Sequence, residues 1–238
     1  MGLSSGAAAI LLYHSLDRTG GLLSIDPALF RRHIAMIVES RIAVAPLARV
    51  RQTPGALVLT FDDGHRSFLD HALPLLVEFH VPATMFVVTG YCGREHGALT
   101  WSEVREIAAA GIHIGAHSVT HRDLTTLSAA DAQEEMRGSQ AHLEDRLGRT
   151  VRTFAYPYGR LNTHVRRQAS EIFDLACGIQ LGQAGPDADP FDLPRVFDLY
   201  VRNPRRLKRL ASLEGRAYLA VRRTVSALRR GISARIGG

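Results

Sequence analysis

The chain has 238 residues, 46% of them apolar, which is enough to bury a full core; this excludes disorder as the dominant state and fits one α/β domain. Two cysteines, Cys92 and Cys177, are too few for a disulfide scaffold or a cysteine zinc knuckle, and no apolar run approaches the ~20 residues of a membrane span. The net charge of +6 is concentrated from Arg205 to Gly238, where ten Arg or Lys accompany a single acid, Glu214; a mildly acidic body with a basic tail is not the footprint of a nucleic-acid-binding domain. The N-terminus shows no charged lead, apolar stretch and cleavage site in succession, so a cytoplasmic or inner-membrane-associated location is expected.

In chain order, short apolar, β-branched runs alternate with helical patterns, the arrangement of repeated strand–helix units in a parallel sheet. Ala8–Tyr13 reads as the first strand. Asp26-Pro27 supplies an N-cap and a first-turn proline to a helix whose Phe30, Ile34, Ile37 and Val38 recur at helical spacing. A second buried strand is predicted over Ala56–Phe61, then a helix from about Ser67 to Phe79. Ala83–Thr89 is the third strand, ended by the loop Gly90-Tyr91-Cys92-Gly93. A helix over Ser102–Ala110 stops at Gly111, and Ile112–Ala116 forms the fourth strand. Ser128 caps a longer helix that runs to Leu147 and ends at Gly148, with Asp131 as the acidic half of the cap. Thr153–Ala155, Leu175–Ile179 and Leu193–Phe197 read as three further strands, with a loop over Gln183–Asp192. From Arg205 the chain reads as helix: Leu207, Leu210, Ala211, Tyr218, Val221, Val225, Leu228 and Ile232 form an apolar stripe, with a break expected at Glu214-Gly215.

Three segments carry chemistry, and all follow predicted strands at the end where parallel α/β barrels keep their active sites. They are Thr60-Phe61-Asp62-Asp63-Gly64, His117-Ser118-Val119-Thr120-His121 and Tyr156-Pro157-Tyr158-Gly159. Two histidines four apart face one metal if their segment makes a helical turn. One carboxylate completes a two-histidine, one-carboxylate set with positions left open for water and substrate. The second carboxylate, held beside that set, is then a general base. Each segment alone has an ordinary reading: turn chemistry, a chance pair among eleven histidines, a plain proline turn. It is their joint placement at strand ends that singles them out.

Together these segments resemble the polysaccharide deacetylase family, carbohydrate esterase family four, also called the NodB homology domain. The resemblance runs from about Ile10 to Phe197 and includes Pro82-Ala83-Thr84-Met85-Phe86. Leu12-Tyr13-His14-Ser15 and Phe154-Ala155-Tyr156-Pro157-Tyr158-Gly159 are similar to the branch containing poly-N-acetylglucosamine deacetylases. The implied fold is a single-domain distorted (β/α)7 barrel over residues 1–204, followed here by a basic amphipathic helical tail over 205–238. The resemblance implies Asp62 as catalytic base, Asp63, His117 and His121 as metal ligands, and the Tyr158 backbone N–H as an oxyanion donor. It implies a divalent metal, zinc first, with cobalt, nickel or iron as alternatives, and an acetylated glycan substrate whose N-acetyl group is hydrolysed.

Two departures stand out. Ala155 occupies the place of an arginine that tethers the catalytic aspartate in many members, for which Arg195 is a candidate substitute. The family's late Leu-x-His, a general acid, has no counterpart, leaving Asp62 itself or His14 to supply the proton. His14, His65, Trp101, Pro157 and Arg195 are the substrate-groove candidates, with Tyr91 and Asn162 beside them; for Trp101 the competing reading is core, and for His65 an exposed turn. The helix from Arg205 to Arg235 fits either packing on the barrel or peripheral contact with an anionic membrane surface. The alternative functions are a metal-dependent amidohydrolase for a small amide and a non-catalytic glycan-binding member of the fold.

Overall fold

The structure, a computed structural model, describes residues 6–236, with side chains described through residue 225. The strands are short runs buried on both faces, as a parallel sheet covered by helices requires. They are β1 (Ala9–Tyr13), β2 (Ser15–Leu16), β3 (Ser24–Ile25), β4 (Leu57–Phe61), β5 (Ala83–Val87), β6 (His113–Ala116), β7 (Thr153–Ala155), β8 (Leu175–Cys177) and β9 (Val196–Phe197). The α-helices are α1 (Pro27–Glu39), α2 (Leu73–Glu78), α3 (Trp101–Ala109), α4 (Ala129–Leu147), α5 (Thr163–Ile172) and α6 (Leu213–Ile236).

Seven strands pair in the order β8-β7-β6-β5-β4-β1-β9, every neighbour parallel, while β2 and β3 pair separately. One segment closes the sheet. Leu193 bridges to Cys177 of β8, and Val196 and Phe197 pair with Leu11 and Leu12 of β1. Pro194, between them, has no N–H to donate, so the predicted strand over Leu193–Phe197 is divided between two edges. The result is a distorted (β/α)7 barrel. Alternation along the strands sends Ile10, Val58, Phe86, Ala155 and Cys177 into the interior and Leu11, Leu59, Val87, Phe154 and Ala176 outward under the helices.

The helices begin where side chains satisfy their first N–H groups. Asp26 accepts from the Ala28 N–H with Pro27 in the first turn, Thr100 and Glu103 cap α3 reciprocally, and Ser128 accepts from the Asp131 N–H. Two expectations need correction, and two elements were not expected. The helix expected over 67–79 is π-wound over Phe68–Ala72 and α-helical only from Leu73, because Pro74 has no N–H for the carbonyl four residues back and its ring crowds that turn. The β2–β3 pair and α5 have no counterpart among the predicted elements. The break in the tail falls at 210–212, between a 3-10 run over Pro204–Arg209 and α6, not at Glu214-Gly215. Gly215 lies inside the first turn of α6, where a Cβ would stand 2.3 Å from the Arg209 carbonyl oxygen; it permits a close approach and breaks nothing.

Leu207, Leu210, Ala211 and Leu219 are buried in the main core, so of the two readings of this segment the packed one describes it as far as Leu219. Val221 and Val225 are exposed. The side chains of Leu228 and Ile232, the end of the predicted stripe, lie outside the described residues. Among the described residues no helix is long and apolar enough to cross a membrane.

Asp198, immediately after β9, is 3% exposed, and burial raises its pKa to about 6 against the opposing charge of Arg202. The unfolded chain releases this proton near pH ~4 and the folded chain only near 6, so stability falls as pH rises through that window. The full loss, about 2–3 kcal/mol, applies above it. Asp198→Asn is therefore expected to stabilise the protein by about 2 kcal/mol at pH 8 and not at pH 4 in urea unfolding. An equal gain at both pH values would show that charge burial is not the cause.

Candidate active site

β4 and β6 carry the aspartate pair and the histidine segment to the same end of the barrel. Each ladder runs one residue past its strand: the Asp62 N–H donates to the Tyr13 carbonyl (3.0 Å) and the His117 N–H to that of Val87 (3.1 Å). Asp62 thus keeps the strand's inward direction. Asp63, at φ 71°, is left-handed, which turns its carboxylate away from its neighbour's and lets adjacent residues serve different places.

The histidine segment is not a helical turn. It is a loop in which Ser118 (φ 64°) and His121 (φ 59°) are both left-handed, with the Ser118 hydroxyl accepting the His121 N–H at 2.9 Å. A backbone reversal, rather than the helical period, brings the rings together. His117 Nε2 and His121 Nε2 each lie 3.3 Å from Asp63 Oδ1 and 3.2 Å from one another. Donors at about 2.0–2.2 Å from a tetrahedral metal stand about 3.3–3.6 Å apart, so these three atoms already have the spacing of a metal's coordination sphere. His117 Nδ1 donates to the Ala155 carbonyl at 2.7 Å, which turns Nε2 toward Asp63. Among the described residues, Asp63, His117 and His121 are the group that could hold a metal ion.

The electrostatics agree with that donor set. Burial pushes the Asp63 carboxyl up, but hydrogen bonds from His117 and His65 outweigh it and hold the group well below the usual carboxylate range. Burial likewise works against a charged His117, yet the bond to Asp63 and the charges of Asp62 and Asp63 raise its pKa above the ordinary value. His121 is lowered to about 4 by burial and by His117. A site of two carboxylates that draws a proton onto one imidazole is a site that favours a cation.

Asp62 stands apart from the three. It is 3% exposed, and both its oxygens are taken by Arg195, Nη1 to Oδ1 at 2.7 Å and Nη2 to Oδ2 at 2.8 Å. Its Oδ2 is 3.9 Å from His117 Nε2. Burial raises the Asp62 pKa, and the Arg195 guanidinium, followed by His117, more than offsets this and keeps the group ionised. Arg195 is wholly buried and also donates from Nε to the Gly178 carbonyl at 2.8 Å. It therefore lines no groove, a correction to that expectation; the closing segment on either side of Pro194 aims it into the barrel interior, where it tethers Asp62.

The remaining candidates divide. His65 reaches Asp63 Oδ2 at 3.4 Å. His14 stacks on Phe197, its Nδ1 is buried without a hydrogen-bond partner among the described residues, and burial lowers its pKa while the charges of Asp62 and Asp63 oppose this. Pro157 is buried in the turn that presents Tyr158, a residue 55% exposed whose ring lies 4.7 Å from that of His121. The Tyr91 ring is 6.2 Å from that of His121. Trp101 is not gathered in: its ring is partly buried against the core with Arg146 of α4 over it at 5.4 Å, the core alternative, because the first turn of α3 faces α4. Asn162 caps α5 by accepting the Val165 N–H, a structural task. Asp123 and Glu135 were passed over in the sequence. Asp123 receives Arg160 at 2.8 Å, tying the Tyr158 turn to the histidine loop, and a surface Arg–Asp pair 37 residues apart leaves no sequence signal.

Closure through β9, together with one aspartate grouped with histidines and its neighbour held by a buried arginine, sets the class. The chain belongs to the polysaccharide deacetylase family, whose model matches residues 49–172, just over half of it. Among individual proteins, it is 27% identical over 196 residues to YxkH of Bacillus subtilis (strain 168), whose name places it among polysaccharide deacetylases; the match covers 79% of this chain and 70% of that protein. It is 27% identical over 155 residues to a poly-β-1,6-N-acetyl-D-glucosamine N-deacetylase of Staphylococcus epidermidis, covering 58% of this chain and 53% of that one, so the chain spans about half the length of this relative. In fold it is similar to Streptococcus pyogenes deacetylase PplD in complex with acetate, with TM-score 0.75, 23% identity, and 83% and 93% of the two chains covered. IcaB from Ammonifex degensii gives TM-score 0.74 at 22% identity, over 92% and 99%.

Proposed function

We propose that this chain is a metal-dependent hydrolase that removes acetyl groups from an N-acetylated carbohydrate, with a poly-N-acetylglucosamine, the substrate in the staphylococcal relative's name, as its substrate class. The observation that carries this is the separation of the two adjacent aspartates, Asp63 grouped with His117 and His121 and Asp62 held ionised by Arg195. A divalent cation, zinc before cobalt, nickel or iron, would be held by Asp63, His117 and His121 and would lower the pKa of bound water from 15.7 to about 7 while polarising the acetyl carbonyl.

The chain's own groups do the rest. The Ala155 carbonyl orients His117 through Nδ1. Asp62, acceptor-only in its ionised state, takes the proton of the attacking water. The Tyr158 N–H donates to the acetyl oxygen as that atom becomes negative. Asp62 then returns its proton to the departing amine nitrogen, so that water and amide become acetic acid, which ionises to acetate as it leaves, and amine, and the carboxylate is restored. His14, kept neutral by burial, lines the mouth. His65 also lines a neighbouring groove of about 740 Å³, together with Ser15, Arg66, Arg94 and Thr100 among others.

Acetate released from N-acetylglucosamine oligomers, lost on chelation and restored by added zinc, is the expected result. Release from small linear or cyclic amides alone would favour the amidohydrolase reading. Glycan binding with no acetate released at any metal loading would leave a binding module.

A further inference from the structure

Left-handed backbone at a residue other than glycine costs on the order of 1–3 kcal/mol and persists only where its surroundings hold it. The histidine loop contains two such residues, Ser118 and His121, within four positions. One side of it is held by the segment after β5: the Thr89 N–H donates to the Ser118 carbonyl (3.2 Å) and the Gly90 N–H to that of Val119 (2.8 Å). The approach is so close that a Cβ on Gly90 would stand 2.5 Å from the Val119 oxygen.

The other side is held by one carboxylate. Glu135 Oε2 accepts the Val119 N–H at 2.9 Å and the Thr120 N–H at 2.8 Å, and Oε1 accepts the Thr120 hydroxyl at 2.5 Å. Consecutive N–H groups converge on one acceptor when neighbouring residues alternate in handedness, forming a concavity suited to an anion. The left-handed Ser118 and the Glu135 carboxylate therefore favour one another. Charge-assisted bonds of this kind are roughly twice as strong as neutral ones. Glu135 is carried by α4, a helix anchored in the core by Ala132, Met136 and Leu143. The same helix receives the Val119 side chain against Gly138, where a Cβ would come within 3.2 Å.

We propose that Glu135 is a positioning residue of the metal centre: it touches neither imidazole but imposes the loop conformation in which His117 and His121 converge on Asp63. This rests on the reading of those three residues as the metal ligands. Groups that orient ligands typically change metal affinity by about 10–100-fold when removed.

The test is zinc titration by calorimetry of the chelator-stripped full chain, with apo thermal unfolding and amide hydrogen exchange at Val119 and Thr120 measured alongside. Glu135→Ala is expected to weaken zinc binding at least tenfold and to accelerate exchange at those two amides. Glu135→Gln, whose amide oxygen still accepts both N–H groups, is expected to stay within threefold of wild type. Glu134→Ala, an exposed neighbour on the same helix, should change nothing. If Glu135→Ala does not fold, Glu135→Asp, one methylene short of the loop, replaces it with the same expectation. Zinc affinity within twofold of wild type for the alanine or aspartate variant, or an equal loss in Glu134→Ala, overturns the inference. A wild-type protein that binds no zinc overturns the metal reading itself, and this inference with it.

Discussion

Asp63→Asn is expected to weaken zinc binding by a factor of about a hundred or more and to remove acetate release with it. A four-ligand zinc site is worth about 10–16 kcal/mol in all, so one charged ligand accounts for about 3 kcal/mol. Asparagine is the informative substitution because Asp63 is left-handed at φ 71°, a conformation that Asn tolerates and Ala resists; an alanine would confound lost ligation with a disturbed turn. A second readout needs no metal. The bond to Asp63 is the largest influence raising the His117 pKa, so in the apo variant that pKa should fall and the imidazole NMR signals should titrate at lower pH than in wild type. Unchanged zinc affinity, or a His117 titration that does not move, would show that the three donors do not act as one centre.

Arg195→Met is expected to destabilise the protein by about 3–5 kcal/mol in urea unfolding, because it leaves the Asp62 carboxylate buried without its counter-ion. Methionine keeps an unbranched chain of similar reach, so the change reads charge and hydrogen bonding more than lost volume. Arg195→Lys should recover little. An ammonium cannot reproduce the two parallel bonds to Oδ1 and Oδ2 while also donating to Gly178. Adding Asp62→Asn to Arg195→Met should restore much of the lost stability, since the uncompensated charge is then gone; the double-mutant cycle measures that coupling. A single-variant loss below about 1 kcal/mol, or an additive cycle, would mean that Arg195 does not hold Asp62 in the way the geometry indicates.

The strands that bury both faces were legible because nearly every residue in them is apolar: Leu57–Phe61, Ala83–Val87 and Thr153–Ala155 can go nowhere but a covered sheet. Helix starts were legible where Asp26 and Ser128 supply their own caps. Elements whose signal lies elsewhere were not. In α5 only Val165, Ala169 and Ile172 give an apolar stripe within an otherwise polar run, and the β2–β3 pair is two residues long on each side. The π winding before α2 follows from Pro74, a residue compatible with an ordinary first turn until the preceding turn is also required to be helical. Trp101 was ambiguous for the same kind of reason, since an aromatic at a helix start serves a sugar or a core equally well until its neighbours are known.

What residue order alone determines here is the supply of groups: two carboxylates side by side after one strand, two imidazoles four apart after another, and a proline–tyrosine turn after a third. Strand polarity then delivers all of them to one end of the barrel, because parallel strands share their C-terminal edge. Their division into roles belongs to the tertiary structure. Which aspartate meets the histidines depends on a left-handed turn at Asp63, the meeting of the histidines depends on two more in the loop between them, and the ionisation of Asp62 depends on Arg195, 133 residues away, entering from the segment that closes the sheet. The last is a long-range contact between charged groups in a buried interior, where energy is set by a few tenths of an ångström, and the left-handed turns persist only because surrounding segments hold them; no local pattern of residue types encodes either.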